Sequence, residues 1–64
     1  MLVLGRAKGK SVIIGEGEDA ITVTVLEAKP NHIRLGFESN KGIPIHRSEI
    51  YERIHGELPK YDRN

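Results

Sequence analysis

The chain has 64 residues, enough for one domain, and its ten Lys and Arg residues against nine Asp and Glu give a net charge of +1. Cysteine is absent, which excludes disulfides and thiolate zinc sites and is typical of a cytosolic protein. No apolar run is long enough for a membrane span or for the core of a signal peptide, so we expect neither, and we expect a cytoplasmic protein.

The short length also limits how large a hydrophobic core one chain buries. A chain of this size buries only about 60% of the surface of its unfolded form. One Phe, two Tyr and no Trp are available to fill a core. Because no disulfide or evident metal site compensates, we expect a homodimer. Since there is little volume to enclose an active site, we also expect that the protein is not an enzyme.

The charge is divided into segments. Residues 1–10 hold three bases and no acid, residues 11–27 hold four acids and no base, and residues 28–48 hold four bases and one acid. If the fold brings the two basic segments together, the nearly neutral total conceals a face that binds polyanions.

Apolar runs predict five short β-strands, over residues 2–4, 11–14, 21–26, 32–37 and 42–47. The run 21–26 alternates strictly and is almost entirely β-branched, so it is the clearest strand. Pro44 confines the last run to a sheet edge or to a position where its missing N–H faces outward. The connections are short and turn-like, with Pro30 and Asn31 as a hairpin turn, so we expect antiparallel neighbours.

One helix is predicted after the strands. Ser48 is the expected N-cap, followed by Glu49 in the first turn, and Gly56 is the expected stop. The predicted architecture is therefore mainly β, with five short antiparallel strands and one C-terminal α-helix. We assign residues 1–58 to a single domain and residues 59–64 to a flexible tail.

Two possible sites have simpler interpretations. Residues 5–11 resemble a phosphate-binding P-loop, but three residues separate the glycines where that motif has four, and a strand rather than a helix is predicted to follow. His32, His46 and His55 are spread over different elements, unlike the close ligand pairs of zinc sites. We therefore expect no nucleotide, no metal and no cofactor.

Two arginines carry a more specific signal. Arg6 follows Leu4 by two positions, and Arg47 follows Ile45 in the same way. Residues i and i+2 of a strand share a face, so each strand presents an apolar side chain beside a guanidinium. Arginine pairs with a guanine edge or a phosphate and stacks on bases, although the aromatic platforms of other RNA-binding sheets are missing. From the pattern alone, solvated surface arginines are the alternative interpretation.

Several segments occur here in a specific order: Met1-Leu2-Val3-Leu4-x-Arg6, Gly9, Ile14-Gly15, the run 21–26, Asn31-x-Ile33-Arg34-Leu35-Gly36, and Ile45-His46-Arg47-Ser48-Glu49-Ile50-Tyr51-x-Arg53-Ile54. With these segments the chain resembles the CsrA/RsmA family of bacterial carbon storage regulators over residues 1 to about 55. The resemblance implies an intertwined homodimer in which the two chains exchange strands. It also implies binding, without catalysis, to GGA motifs in mRNA leader hairpins near the ribosome-binding site, which alters translation or transcript stability.

The resemblance also implies partners and site residues. Decoy small RNAs with GGA motifs, and a protein antagonist, are the expected regulators, and no membrane is involved. In the family the first strand of one chain lies beside the fifth strand of the other to form the RNA surface. Carried over by position, the RNA-binding residues are Leu4, Arg6, Lys8, Ile45, His46, Arg47, Glu49 and Ile50, with Arg47 as the principal contact.

The chain departs from the family pattern near this surface. Ala7 stands where a base is usual, Gly5 where Thr or Ser is usual, and Lys10 where an acid is usual. Ser39-Asn40-Lys41 replaces the usual Ala-Pro-Lys, and the turn from residue 15 to residue 21 is longer than usual. Because of these changes, we keep an alternative interpretation of the function: a dimeric protein-interaction module with a degenerate RNA face.

Overall fold

The computed structural model describes residues 1–60, in which three strands form one antiparallel sheet. The elements, in chain order, are β1 (Ser11–Ile14), a 3-10 helix (Gly17–Asp19), β2 (Ile21–Lys29), β3 (His32–Ser39) and α1 (Ser48–His55). The strands lie in the order β1–β2–β3. The prediction of a mainly β chain with a C-terminal helix is confirmed.

The β2–β3 hairpin dominates the sheet. Lys29 pairs with His32 across a two-residue turn, so the hairpin predicted at residues 30 and 31 is confirmed. Both strands extend beyond their predicted ends, to Lys29 and to Ser39. A register shift between Val25 and Glu27 interrupts the ladder, and this bulge shifts the alternation of side chains beyond it.

The register divides the sheet into two faces. Val12 pairs with Val23 and Val23 with Phe37, so these three side chains lie in a row across the strands. Because side chains alternate along a strand, the same face carries further apolar residues. We call it the apolar face: Val12, Ile14, Ile21, Val23, Val25, Ile33, Leu35 and Phe37. The opposite face, mainly polar and called the polar face below, carries Ser11, Thr22, Thr24, Arg34 and Glu38, and also Ile13, which pairs with Thr22 and is 56% exposed.

The apolar face is not covered by any other part of residues 1–60. No side chain in this range is buried, and Ile33, Leu35 and Phe37 remain 63%, 47% and 43% exposed. The chain exposes 6030 Å², against about 4,100 Å² expected of a folded monomer of its mass. Residues 1–60 therefore contain an exposed apolar sheet face and no buried core.

Two of the predicted strands are not strands within the single chain. Residues 2–4 and 42–47 have no regular secondary structure. A strand requires a neighbour that completes its hydrogen-bond ladder, and no such neighbour lies beside these segments within residues 1–60. Leu2 and Val3 are about four-fifths exposed, as expected of an unpaired segment. The single chain thus contains three of the five predicted strands.

Helix α1 begins at Ser48, so Ser48 is the first helical residue and not the cap that precedes the helix. The N-cap is Arg47, in an extended conformation and without a side-chain cap bond, so the assignment of Ser48 as N-cap is wrong. The predicted stop at Gly56 is confirmed, because Gly56 adopts the left-handed conformation (φ 82°) and its N–H donates to the Glu52 carbonyl at 2.7 Å. Neither helix in the described part of the chain combines the length and apolarity needed to cross a membrane. Of the tail predicted over residues 59–64, residues 61–64 lie outside the described residues.

Candidate nucleic-acid interface

An open cleft of about 770 Å³ runs along β3. One side is formed by His32, Ile33, Arg34, Leu35 and Phe37, and the other by Ile45, His46, Arg47, Ser48 and Glu49. Four consecutive β3 residues point alternately to both faces, so a cleft that touches all of them follows the edge of the strand. β3 is an outer strand of the sheet, and its outer edge presents unpaired backbone N–H and C=O groups to this cleft.

The cleft brings together half of the predicted site residues. Ile45, His46, Arg47 and Glu49 all line it, and Ile50 follows on the first turn of α1, where it is half-buried. Sequence reasoning missed the contribution of β3, in particular His32, Arg34 and Phe37. The excess of bases over residues 28–48 was the signal that could have found Arg34, since it groups this residue with Arg47.

Arg47 is held by its backbone, which leaves its side chain free. Its carbonyl accepts hydrogen bonds from the N–H groups of Ile50 and Tyr51, both at 3.0 Å. Within residues 1–60, no hydrogen bond or ion pair engages its guanidinium. The positive end of a helix dipole does not neutralise a cation. The guanidinium is therefore available to an anionic or hydrogen-bond-accepting partner.

The charges around the cleft favour an anion. Two arginines, Arg34 and Arg47, line it against one carboxylate, Glu49. Arg34 lies opposite Glu27 in the β2–β3 register, but the carboxylate of Glu27 is paired with the Nζ of Lys29 at 3.5 Å. Within residues 1–60, neither Arg34 nor Arg47 takes part in an ion pair. Ile45, about half exposed, adds an apolar surface two residues away.

The other predicted site residues, Leu4, Arg6 and Lys8, lie outside the cleft. The Nε of Arg6 donates to the carbonyl oxygen of Ser11 at 3.0 Å, which ties the N-terminal segment to the start of β1. Lys8 lies in a tight turn closed by a 3.0 Å bond from the Lys10 N–H to the Ala7 carbonyl. The prediction that Leu4 and Arg6 lie beside Ile45 and Arg47 concerns two chains, and it stays a prediction.

Over residues 1–56 the chain matches the model of CsrA, a global regulator protein family. The chain belongs to the CsrA family. The match spans the whole sheet, helix α1 and every residue that lines the cleft. As a CsrA-family member, the chain is a global regulator.

The structure shows what the departures from the CsrA-family pattern do locally. Ala7 and Lys10 close the turn before β1 through their backbones, and the Lys10 carbonyl also accepts from the Val25 N–H at 3.0 Å. Ser39 is half-buried, and its hydroxyl accepts a hydrogen bond from the Lys41 N–H at 3.1 Å. Ser39 thus stabilises its turn through its side chain, whereas Ala7 and Lys10 contribute only backbone groups to theirs. Residues 5–11 lead into a strand rather than a helix, unlike a P-loop.

Proposed function

We propose that the protein is an RNA-binding translational regulator that acts as a strand-exchanged homodimer. It binds GGA motifs in mRNA leader hairpins near the ribosome-binding site and alters translation or transcript stability, without catalysis. Decoy small RNAs that carry GGA motifs, and a protein antagonist, compete for or modify this binding. Because the targets are translated messages, the site of action is the cytoplasm.

The exposed apolar face supports the homodimer. The excess of exposed surface over that of an ordinary monomer, well over 1,000 Å² per chain, matches one side of an obligate dimer interface, which buries roughly 2,000–5,000 Å² in total. A second copy offers the same apolar face, and two such faces packed together form a closed core. The proposal thus gives the exposed apolar face a partner of identical chemistry.

The cleft supports the exchange of the N-terminal segment. Residues 2–7 have the same length as the part of β3 that lines the cleft, and the free edge of β3 offers them a hydrogen-bond ladder. A segment from a second copy that enters here lies between β3 and residues 45–47. Leu4 and Arg6 of the partner subunit then flank Ile45 and Arg47. In this arrangement all five predicted strands are formed, each in a sheet that both chains share.

The guanidinium of Arg47, which forms no hydrogen bond or ion pair within residues 1–60, is the observation that carries RNA binding. It sits beside the apolar Ile45 at the rim of a cleft with more bases than acids. Arginine donates two parallel hydrogen bonds to the O6 and N7 of guanine, and its planar group stacks on a neighbouring base. An adjacent aliphatic side chain contacts the base face. This combination suits an unpaired, guanine-rich loop better than a duplex, whose deep major groove excludes side chains.

Fluorescence anisotropy with a short labelled hairpin tests this function. One hairpin carries GGA in its loop and the control hairpin carries other bases there, and each is titrated with the parent protein, Arg47→Ala and Arg53→Ala. Arg53 is a matched control because it is an arginine at the opposite end of α1, in the last turn, and does not line the cleft. Arg47→Ala is expected to weaken GGA binding by about 5- to 150-fold, the value of one good bidentate contact, and Arg53→Ala to change it by less than about threefold.

Two results would contradict the proposal. Equal and weak binding of both hairpins, lost at moderate salt, would indicate general polyanion attraction and would favour the protein-interaction module. A folded species with the mass of one chain, measured by light scattering at micromolar concentration, would exclude the homodimer. The expected result is a mass of two chains, independent of RNA.

A further inference from the structure

An ion pair joins the turn before β2 to the loop after β3. The Nζ of Lys41 lies 2.7 Å from Oδ1 of Asp19, which is the last residue of the 3-10 helix. The turn that carries Asp19 is well defined: Gly15 has φ 83°, and a Cβ there would meet the Asp19 carbonyl oxygen at 3.3 Å. The sequence therefore builds a specific turn that places this carboxylate against Lys41.

The loop does not need Asp19 to hold its shape. The Lys41 N–H donates to the Ser39 hydroxyl at 3.1 Å, and the Lys41 carbonyl accepts from the Ile43 N–H at 2.8 Å. Ser39 itself pairs with Ile21 at the end of the β2–β3 ladder. The backbone of the loop is thus fixed by its own bonds and by the sheet. Asp19 therefore offsets the positive charge of Lys41 and is not needed to hold the backbone of the loop in place.

The pair is open to competition. The side chains of Lys41 and Asp19 are 60% and 72% exposed, and ion pairs exposed to this degree contribute little to stability. Two more exposed acids, Glu16 and Glu18, lie in the same turn and make its potential more negative. A phosphate that approaches Lys41 must therefore displace a carboxylate and meet repulsion from its neighbours.

Lys41 lies within reach of a nucleic acid held at Arg47. Five residues separate the two, at most about 20 Å of chain, and successive charges along one stacked nucleic-acid strand are spaced about 3.4 Å apart. A hairpin loop of about six nucleotides that contacts Arg47 and follows this segment reaches Lys41. The loop before the segment is thus the natural place for a further phosphate contact.

We propose that Asp19 is a built-in competitor of RNA phosphate for the ammonium group of Lys41, and so sets the affinity and the salt dependence of the interface. The inference rests on the proposed RNA-binding function. It assigns a role to the long acidic turn: Asp19 offsets the charge of Lys41 in the free protein and does not itself contact RNA. In the free protein, the Asp19 carboxylate lowers the net charge of the interface by one unit. The ammonium group of Lys41 becomes available only when a phosphate takes the place of this carboxylate.

A double-mutant cycle on the dimeric full chain tests this inference, with the GGA hairpin as ligand. The variants are Asp19→Asn, which keeps the shape and removes the charge, Lys41→Gln, and both together. Asp19→Asn is expected to tighten binding by about two- to fivefold and to steepen the slope of log K against log salt by about 0.7, the value of one phosphate contact on a single strand. In the Lys41→Gln background the same substitution is expected to have no effect.

Glu18→Gln provides the matched control, because it removes a carboxylate from the same turn without touching Lys41. It is expected to change affinity less than Asp19→Asn and to leave the salt slope unaltered. Two outcomes would overturn the inference: equal gains in affinity from both substitutions, or a gain from Asp19→Asn that persists in the Lys41→Gln background. Either would mean that the turn acts through its general negative potential and not through the specific ion pair. A loss of affinity in Asp19→Asn would overturn it as well.

The two proposals fail in different ways. If the parent chain does not distinguish the GGA hairpin from its control, the proposed function fails and this inference falls with it. If the parent chain distinguishes them and depends on Arg47, but the cycle shows no coupling between Asp19 and Lys41, only the present inference fails.

Discussion

Leu26 covers Gly36 on the neighbouring strand. A Cβ at Gly36 would lie 3.2 Å from Cδ1 of Leu26 and 3.4 Å from its Cγ, so the isobutyl group occupies the place of the missing side chain. Leu26 stands at the register shift of β2, where the bulge turns it toward Gly36. The bulge of β2 thus places Leu26 over β3, and the absence of a side chain at Gly36 leaves room for it.

The stability cost of substituting Gly36 is expected to rise steeply with the size of the new side chain. Leu26 is half exposed and can move by a few tenths of an ångström, so Gly36→Ala is expected to change the free energy of unfolding by less than about 1 kcal/mol. Gly36→Val places further methyl groups where Leu26 lies and is expected to cost about 1–3 kcal/mol. Urea denaturation at one fixed protein concentration measures both. If Val were tolerated as well as Ala, the contact would have no energetic weight.

The hydroxyl groups of Ser11 and Thr24 form a 2.8 Å hydrogen bond across β1 and β2. Thr24→Val keeps the β-branched shape and leaves the Ser11 hydroxyl without this partner, so we expect a loss of about 0.5–1.5 kcal/mol in stability. Thr22→Val is the matched control, since Thr22 lies on the same strand and face. It is expected to be neutral or slightly stabilising. Equal effects of the two substitutions in thermal or urea unfolding would mean that the hydroxyl pair is not stabilising.

Gly56 is required at the end of α1 for its backbone conformation. Because an L-residue at φ 82° is strained, Gly56→Ala is expected to cost about 1 kcal/mol and to fray the last turn of the helix. Gly42 has no positive φ, and a Cβ added there would meet no atom within 4 Å, so Gly42→Ala is the control without strain. Helical circular dichroism and the urea midpoint report both effects. An unchanged helix signal in Gly56→Ala would contradict the assigned cap.

Val23 and Thr22 are neighbours on β2 that point to opposite faces of the sheet. In the proposed homodimer the apolar face is closed against a second copy, so Val23→Lys places a charge in the interface and is expected to abolish both dimer and fold. Thr22→Lys lies on the polar face opposite Glu38 and is expected to preserve both. Light scattering and circular dichroism distinguish the two. A folded dimer in Val23→Lys would show that the apolar face is not the interface.

The regular part of this fold was predictable from the sequence. Strict alternation located the strands around Val23 and Leu35, and the Pro-Asn pair located the hairpin turn. The ends of the strands were not predictable in the same way, because the bulge at Leu26 interrupts the alternation and Glu27 and Lys29 are unlike a strand interior. The cap at Arg47 was missed because capping depends on side-chain geometry, which a favourable residue type such as Ser48 does not guarantee.

The candidate site was predictable only in part. Ile45, His46, Arg47 and Glu49 were found from sequence and do line one cleft. The contribution of β3 was missed because alternation assigns residues to faces, whereas the cleft follows an edge and touches both. The two unpaired segments, residues 2–4 and 42–47, have strand-like sequences without strand structure in a single chain, since a ladder needs a partner that the sequence pattern does not specify.

The absence of any buried side chain in residues 1–60 has a consequence for the amount of protein a cell must hold. If two copies close the core, folding is a second-order process, and each tenfold dilution removes about 1.4 kcal/mol of stability. Chains made below a threshold concentration then remain unfolded and exposed to proteases. The level of synthesis would control the survival of this regulator as well as its occupancy on targets, so its activity would rise more steeply than its rate of production.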